Sequence, residues 1–253
     1  MSQNTPTNQQ ILLLNPTKSK KPKKFILLNP SKYKFEKPKQ ETSLLIPKFE
    51  PGKPLEIYVQ SHFNILKSYE ESGIHIFENH GITPILPRNI NFNTRMEYAL
   101  NNKWAAFSLK EFEDNFTTES SYISNMEKSK AIKALIDVAN GHMEIIFGLA
   151  KKAKDLYGNH LTIMVGNIAN PETYIQAVAS GVDFIRAGIG GGSGCITSSN
   201  TSIHYPYVSL IAEIDAIRTN LCIDGGIPYE KQPKVIIDGG IRNYSDVIKA
   251  LAV

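Results

Sequence analysis

Short apolar runs alternate with amphipathic stretches along the chain beyond about residue 80. Such runs, bounded by glycine, proline or polar residues, are typical of buried strands. They lie at Ile82–Leu86, Trp104–Phe107, Ala134–Val138, Leu161–Val165, Val182–Ala187 and Val235–Asp238. The stretches between them predict helices, one with Met96, Ala99 and Leu100 on a single face and others at Leu109–Phe116, His142–Tyr157, Pro206–Arg218 and Ser245–Leu251.

Two of the predicted helices carry clear boundary signals. The helix from about His142 to Tyr157 is expected to end at Gly158. Its apolar residues recur at three- and four-residue steps, which predicts that one face buries Ile145, Ile146, Leu149, Ala153 and Leu156. Asn170-Pro171 fits an N-cap followed by proline at the first helical position, and that helix is expected to end near Gly181.

Strand–helix units in series predict a parallel sheet covered by helices. Two architectures have this pattern, an open doubly wound sheet and a closed eight-stranded barrel. Both bind ligands at the C-terminal ends of the strands. We therefore expect the chemistry of this protein just after Asp137, Gly166, Gly188 and Asp238.

The composition is that of a globular protein. The 253 residues suit one large domain or two small ones, and no apolar run approaches the roughly 18 residues that a membrane-spanning helix needs. Residues 1–10 are polar, and Ile11–Leu14 is too short for the apolar core of a signal peptide. Two cysteines, Cys195 and Cys222, exclude a disulfide scaffold and a cysteine-rich zinc site. We expect a cytoplasmic protein that does not contact membranes.

Positive charge is concentrated at the N-terminus. Residues 1–60 hold 11 lysines, 4 glutamates and 8 of the 14 prolines, which predicts a basic, extended segment preceding a globular domain over 61–253. One interpretation is an arm that binds nucleic acid or another polyanion. The other, which we favour, is a solvated leader, because its aromatic residues form no RNA-binding pattern. Nucleic acid is therefore not an expected partner.

The loop Gly188-Ile-Gly-Gly-Gly-Ser-Gly-Cys-Ile-Thr197 carries most of the functional information. It follows a predicted strand, and five glycines in seven residues let backbone amides form an anion-binding nest suited to phosphate. Neither the dinucleotide-binding G-x-G-x-x-G pattern nor the P-loop fits. Amide dipoles in such a loop favour a thiolate, so Cys195 is a candidate nucleophile, with a small buried residue as the alternative. For Cys222, inside an apolar run, we favour the buried alternative.

Aspartates at strand ends are the other candidates. Ile-Asp-Gly-Gly-Ile occurs at 223–227 and 237–241, and an aspartate there can hold a ribose diol while the amides meet phosphate. We prefer Asp238, because it follows a better strand, and interpret the first copy as a turn in an insertion. Asp137 either contacts a cofactor, orients substrate or caps the next helix. His142 is interpreted as an exposed residue at a helix start.

Four segments in order resemble the IMP dehydrogenase/GMP reductase family. They are Asp137-Val-Ala-Asn-Gly141, Gly166-Asn167, the 188–197 loop and Val235-Ile-Ile-Asp-Gly-Gly-Ile-Arg242. The resemblance covers about residues 130–251, with a fainter match in Pro84-Ile-Leu-Pro-Arg-Asn-Ile-Asn91. It implies a (β/α)8 TIM barrel, and thereby selects between the two architectures left open above.

The resemblance also implies roles for individual residues. Cys195 would attack purine C2 of GMP or IMP to form a covalent thioimidate, and Thr197 would help to handle the proton. The remaining implied roles are substrate binding by Gly192, Ser193, Asp238, Gly239 and Gly240, and binding of NADPH or NAD by Asp137, Asn140, Gly141 and Asn167. Backbone carbonyls of Gly190, Gly192 and Cys195 would bind potassium. The family further implies a tetramer-type homo-oligomer.

The direction of the implied reaction is a choice between two branches. Asp137-Val-Ala-Asn-Gly141 and the lack of an evident inserted regulatory pair favour GMP reductase, which takes GMP and NADPH to IMP and ammonia. The NAD-dependent IMP dehydrogenase is the alternative. A non-catalytic nucleotide-binding subunit is a further hypothesis of another class.

The sequence departs from the family pattern in several places. It ends at Val253, within the helix after the Asp238 strand, where the family continues with another strand and a mobile flap. We therefore expect an incomplete barrel, explained by a complementing C-terminal chain, an incomplete sequence or a degenerate protein. Tyr207 replaces a usual glutamine, Asn91 stands where an aspartate is common, and residues 219–233 look inserted.

Overall fold

The structure is a computed structural model that describes residues 57–59, 77–79, 81–118, 131–190, 204–239, 241 and 243–251. The predicted basic segment up to residue 56 and the 191–203 part of the glycine-rich loop lie outside the described residues. The proposed boundary between the leader and the catalytic domain therefore stays a prediction.

Strands and helices alternate in the order that the apolar pattern predicts. The strands are β1 Ile57–Val59, β2 Ile82–Leu86, β3 Trp104–Phe107, β4 Ile132–Asp137, β5 Leu161–Ile168, β6 Phe184–Ala187 and β7 Lys234–Ile237. The helices are α1 Phe92–Leu100, α2 Leu109–Phe116, α3 Glu144–Tyr157, α4 Thr173–Ser180, α5 Tyr207–Ile223 and α6 Tyr244–Leu251. Short 3-10 turns lie at Gly158–His160 and Tyr229–Lys231.

The strands form one parallel sheet in chain order, β1 to β7. Each strand pairs with the next, and the longest register runs from Ile132↔Leu161 to Asp137↔Gly166. A doubly wound sheet reverses its strand order at a switch point, whereas a (β/α)8 barrel adds each strand beside the previous one. The sheet is therefore that of an incomplete (β/α) barrel, as the resemblance implies.

The sheet has apolar residues on both faces, as parallel sheets require. The face under the helices holds the larger core, in which alternate strand residues such as Phe107, Ile136, Val165 and Ile185 pack against α1–α5. The opposite face, which is the barrel interior, holds a smaller cluster of Ile85, Trp104, Ala106, Leu135 and Met164. Trp104 meets Phe184 edge-on at 5.4 Å between ring centroids. The period of two therefore decides which side chains face the site.

Two helix predictions need correction. α3 begins at Glu144 and buries Ile146, Phe147, Ala150 and Ala153, whereas Ile145 and Leu156 are about half exposed. The predicted face was thus rotated, because a helix that covers a sheet buries an i, i+3, i+4, i+7 stripe and the sequence offered two overlapping stripes. Gly158 follows α3 as predicted.

α4 also starts later than its sequence signal suggests. Asn170 Oδ1 accepts a hydrogen bond from the Glu172 N–H in a separate turn, and the helix begins only at Thr173. Asn170 therefore shapes the turn before the helix instead of capping the helix itself. The predicted end of α4 near Gly181 is confirmed.

The predicted insertion begins inside a helix. α5 continues to Ile223 and includes Cys222, whose thiol is free. Cys222 is partly exposed, whereas the sequence predicted a buried residue. Asp224 of the first Ile-Asp-Gly-Gly-Ile copy ends that helix and follows no strand, which confirms its interpretation as a turn. Gln232 then donates to the carbonyls of Arg218 and Ile227, which closes the segment onto α5.

One strand was missed by the sequence analysis. β1 pairs with β2 from Ile57↔Ile82 to Val59↔Pro84. It is only three residues long and lies in a proline- and lysine-rich context that favours extended, unpaired chain. Among the described residues, no helix is both long and apolar enough to cross a bilayer.

Candidate functional site

Polar residues gather at the C-terminal edge of the sheet. Asp137 ends β4, Asn167 lies near the end of β5, and Asp238 directly follows β7. Gly188 follows β6 and donates its N–H to the Ile168 carbonyl at 2.8 Å. All parallel strands end on the same edge, so residues about 20 to 100 positions apart in the chain come together there, as expected for this architecture.

Arg186 links the two aspartates. It lies in β6 between Ile185 and Ala187, which face the helices, so its side chain is on the interior face. Its Nη2 lies 2.6 Å from Asp238 Oδ2, and its Nη1 lies 3.6 Å from Asp137 Oδ1. The Arg186 side chain is only 10% exposed. A buried guanidinium needs such partners, because an unpaired buried charge is strongly destabilising.

A second arginine balances the charge of the cluster. Arg88, in the loop after β2, places its Nε 3.3 Å from Asp137 Oδ2. Two arginines therefore face two carboxylates, and the formal charges of these four groups cancel. Asp137 does not cap α3, whose N-cap is Met143 without a side-chain hydrogen bond. The helix-cap alternative for Asp137 is thus wrong.

Asn167 also holds Asp238 in place. Its Nδ2 donates to the Gly188 carbonyl at 2.8 Å and to Asp238 Oδ2 at 2.5 Å. Both partners only accept hydrogen bonds when the carboxyl is ionised, so the amide nitrogen must be the group that faces them. Asp238 is also tied to β6, since its N–H donates to the Ala187 carbonyl at 2.9 Å.

Two glycines make this arrangement sterically possible. A Cβ at Gly166 would lie 2.4 Å from Arg186 Cβ, so only glycine lets the β6 side chain pass across β5. Gly188 has φ of +124° and a Cβ there would lie 2.6 Å from the Asp238 carbonyl oxygen. Both contacts are shorter than any ordinary packing distance, and φ in this range favours glycine.

His142 connects the loop after β4 to the segment that runs from β5 to the start of α4, beside Asn167. Its Nδ1 lies 2.8 Å from Thr173 Oγ1, and its Nε2 accepts from the Ala169 N–H at 3.1 Å. An Nε2 that accepts cannot carry a proton, so Nδ1 is the donor and the ring is neutral. Burial lowers the pKa of His142 in the same sense. The interpretation of His142 as an exposed helix-start residue is therefore wrong.

The residues expected to bind a cofactor lie around the same edge. The Gly141 N–H donates to the Asn167 carbonyl at 2.9 Å, and exposed Asn140 accepts from the His142 N–H through its Oδ1. A carboxylate at Asp137 and an accessible amide at Asn140 are the kinds of groups that can hydrogen-bond a carboxamide. The donor set therefore fits a nicotinamide in chemistry.

Several predicted site residues lie outside the described residues. They are Gly192, Ser193, Cys195, Thr197 and Gly240. Gly190 is described and has φ of +80°, whereas the other two carbonyls predicted to bind potassium are not, so the potassium site stays a prediction. Within the described part of the chain, no cluster of three or more histidine, cysteine or acidic residues could hold a metal ion.

The two arginines of the cluster were missed by the sequence analysis. Arg186 had a usable signal, because a charged residue at an interior position of a buried strand must have carboxylate partners. Arg88 had none, since it lies in a loop and reaches Asp137 only through the fold. The described geometry thus defines a (β/α)-barrel protein with a charge-balanced polar site at the C-terminal strand ends.

The chain belongs to the IMP dehydrogenase/GMP reductase family. The family model described as "IMP dehydrogenase / GMP reductase domain" matches residues 116–253, which is more than half of the chain. This stretch contains Asp137, Asn167, Arg186 and Asp238, and it also contains the glycine-rich loop.

Individual relatives come from both branches of the family. A GMP reductase of Caenorhabditis elegans is 30% identical over 171 residues, which cover 63% of this chain and 45% of that protein. An inosine-5'-monophosphate dehydrogenase of Borreliella burgdorferi is 33% identical over 51% of this chain and 30% of its own length. Human GMP reductase 2 is 35% identical over 46% and 30%. The matches thus span less than half the length of these relatives.

A solved GMP reductase from Trypanosoma brucei is also similar. It aligns with 58% of this chain and 29% of its own, at 24% identity and a TM-score of 0.45.

Proposed function

We propose that this protein is part of a purine-nucleotide oxidoreductase acting on GMP or IMP. The observation that carries the proposal is that Arg186 links Asp137 to Asp238 at one sheet edge, where Asn167 also donates to Asp238. These are residues to which the family resemblance gives substrate and cofactor roles. Membership in the family, over the stretch that contains them, supports the same function.

The proposed substrate site combines a carboxylate that binds the ribose with a loop that binds the phosphate. Asp238 accepts hydrogen bonds from the ribose hydroxyls, and backbone amides of Gly192, Ser193, Gly239 and Gly240 meet the 5′-phosphate. Gly239 has φ of +82°, a conformation that turns the chain sharply after Asp238. The cancelled charges of the arginine–aspartate cluster support a phosphate site built from amides instead of side-chain cations.

The proposed chemistry is covalent. The Cys195 sulfur attacks C2 of the purine, which becomes tetrahedral, and loss of the 2-amino group as ammonia leaves a thioimidate. Thr197 helps to move the proton that the departing amine takes. When bound, NADPH supplies the hydride that C2 takes up, and the C2–sulfur bond then breaks to give IMP and free Cys195. Asp137, Asn140, Gly141 and Asn167 would hold the nicotinamide end.

The reductase direction is the one we favour. The Asp137-Val-Ala-Asn-Gly141 segment supports this direction. The relatives include both a GMP reductase and an IMP dehydrogenase. The NAD-dependent dehydrogenase is the alternative. We also propose that the chain assembles as a homo-oligomer or with a complementing C-terminal chain.

The test is a spectrophotometric assay of the chain with and without a complementing C-terminal fragment. With GMP and NADPH we expect absorbance at the dinucleotide band to fall. Cys195→Ala should abolish the change, because no other group forms the bond to C2. Cys222→Ala is the matched control, since that thiol lies on α5 away from the strand ends.

The alternatives predict different outcomes. Turnover with IMP and NAD, but not with GMP and NADPH, would establish the dehydrogenase direction. Binding of GMP or IMP without turnover of either pair would favour the non-catalytic nucleotide-binding subunit. Turnover that survives Cys195→Ala would contradict the covalent mechanism.

A further inference from the structure

We propose that Arg186 is a positioning residue that, together with Asn167, presents one oxygen of Asp238 to both hydroxyls of a ribose. The inference rests on the proposed function, because it assumes that Asp238 meets a ribonucleotide. It adds an interior arginine of β6 to the residues that determine which sugar the site accepts.

The two oxygens of the Asp238 carboxylate have different surroundings. Oδ2 accepts from Arg186 Nη2 at 2.6 Å and from Asn167 Nδ2 at 2.5 Å. Among the described residues, no hydrogen bond reaches Oδ1. A carboxylate has about four lone-pair sites, two on each oxygen. Oδ2 is therefore saturated, and Oδ1 retains about two sites, the number that a ribose diol would fill.

Both donors are themselves held in place. Arg186 is 10% exposed, and its second nitrogen, Nη1, lies near Asp137. Asn167 uses its other amide hydrogen on the Gly188 carbonyl. The Asp238 side chain, in contrast, is 37% exposed and would be free to rotate without them. A hydroxyl pair thus meets a carboxylate whose orientation is already fixed, which reduces the entropic cost of binding.

Sugar discrimination is the property that such positioning controls. The hydroxyls of a ribonucleotide donate hydrogen bonds to the fixed Oδ1. A 2′,3′-dideoxynucleotide keeps the base and phosphate but lacks the hydroxyls that form these bonds. Hydrogen bonds to charged groups make this difference about tenfold to a hundredfold in Kd. Loss of Arg186 should weaken binding of the ribonucleotide alone, because Asp238 then samples several orientations.

The experiment measures Kd for GMP and for 2′,3′-dideoxy-GMP by calorimetry on the full chain and its variants. We expect the ratio of the two constants to fall to about threefold or less in Asp238→Asn and in Arg186→Met. The Kd for dideoxy-GMP itself should stay within about twofold in Arg186→Met. Arg88→Met is the matched control: it removes an arginine that contacts Asp137 but not Asp238, and should keep the native ratio.

Arg186→Lys covers the case in which Arg186→Met does not fold, as judged by loss of a cooperative thermal transition. Lysine keeps the charge and the apolar stem, but it lacks the planar fork that reaches two partners at once. We expect the ratio in Arg186→Lys to be reduced by at least about threefold.

The outcomes separate this inference from the proposed function. A native ratio in both Arg186 variants, with the ratio lost in Asp238→Asn, overturns the positioning role and leaves the proposed function intact. Equal weakening of both nucleotides in the Arg186 variants overturns it too, since that shows only structural damage. A native chain that binds neither GMP nor IMP contradicts the proposed function, and the inference with it.

Discussion

At the residue scale, the site depends on glycine at position 166, which has no side chain. Gly166 has no Cβ, and the space that a Cβ would fill belongs to the Arg186 side chain as it crosses from β6 towards Asp137. The nearest atoms to a Cβ at this position include Arg186 Cβ, Cα and carbonyl oxygen, so rotation of the arginine side chain alone cannot make room. β5 and β6 would have to separate.

Gly166→Ala should therefore destabilise the protein by about 1–3 kcal/mol, the usual cost of overpacking a close-packed position. Gly148→Ala is the control, because it lies exposed in α3 with no atom within 4 Å of the added Cβ. That change should raise the free energy of unfolding by about 0.5–1 kcal/mol through helix propensity. Urea unfolding of both variants measures the difference, and an unaltered midpoint for Gly166→Ala would contradict the steric argument.

Residue types predicted part of this site and not its connections. Asp137, Asn167 and Asp238 could be selected because they are polar residues at the ends of apolar runs. Their mutual distances could not be predicted, since strand pairing and register are properties of the whole sheet. Arg186 escaped notice because one charge inside an apolar run did not disturb the strand signal. His142 was misinterpreted as exposed because its partners come from the β5–α4 segment.

At the element scale, α1 and α2 are joined through one buried arginine. Arg95 donates from Nη2 to Glu111 Oε1 at 2.7 Å and from Nη1 to the Ala106 carbonyl at 2.6 Å. Ser108 and Glu111 form a reciprocal capping box at the start of α2. Burial alone would raise the pKa of Glu111, but the bonds from Arg95 and Ser108 outweigh it and lower that pKa to about 2.

Glu111→Gln should therefore lower stability at neutral pH and much less in acid. The carboxyl has a lower pKa in the folded state than its ordinary 4.5, so its contribution is present above pH 4.5 and is lost as pH falls towards 2. Glutamine can still accept from the Ser108 N–H, but it leaves Arg95 without a charged partner. Urea midpoints between pH 7 and pH 2.5 should show the two curves converging.

Glu113→Gln is the matched control on the same helix. Glu113 is half exposed and lies 3.9 Å from Lys110, a surface pair that contributes little. The free energy of unfolding of the Glu113→Gln protein should stay within about 0.5 kcal/mol of the native value at every pH. If Glu111→Gln lowered the free energy of unfolding by the same amount across the pH range, packing and not charge would link α1 to α2.

Element boundaries illustrate where the pattern along a chain is informative. β3 and α2 have the bounds that their apolar pattern predicts, because a capping serine and a buried run mark them locally. α5 extends five residues beyond its predicted end, and the reason is the packing of Gln232 and Tyr229 against it. Boundaries set by tertiary contacts leave no local signal.

At the scale of the whole molecule, α6 is unlike the other helices described. It buries none of its residues, and Tyr244, Ile248 and Leu251 are exposed along one stripe at four- and three-residue steps. Tyr244 is 89% and Ile248 is 65% exposed. Exposed apolar stripes of this kind lower solubility without adding to the stability of the fold.

The double change Tyr244→Ser and Ile248→Ser should leave the free energy of unfolding within about 0.5 kcal/mol of the native value. It should also raise the concentration at which the protein begins to self-associate, as measured by light scattering. Ile146→Ser, at a fully buried position of α3, is the contrasting control and should cost about 3 kcal/mol or more. A comparable loss in the α6 variant would show that its stripe is covered in the folded protein.

The bridge from Arg186 to Asp238 has a consequence for how β7 joins the sheet. Before β7 docks, the interior guanidinium lacks Asp238, which is the nearer of the two carboxylates that it faces in the folded protein. Docking of β7 brings Asp238 to 2.6 Å from Arg186 and neutralises it. The edge strand is thus held by electrostatic attraction as well as by its apolar residues, and the carboxylate that we assign to sugar recognition also helps to complete the sheet.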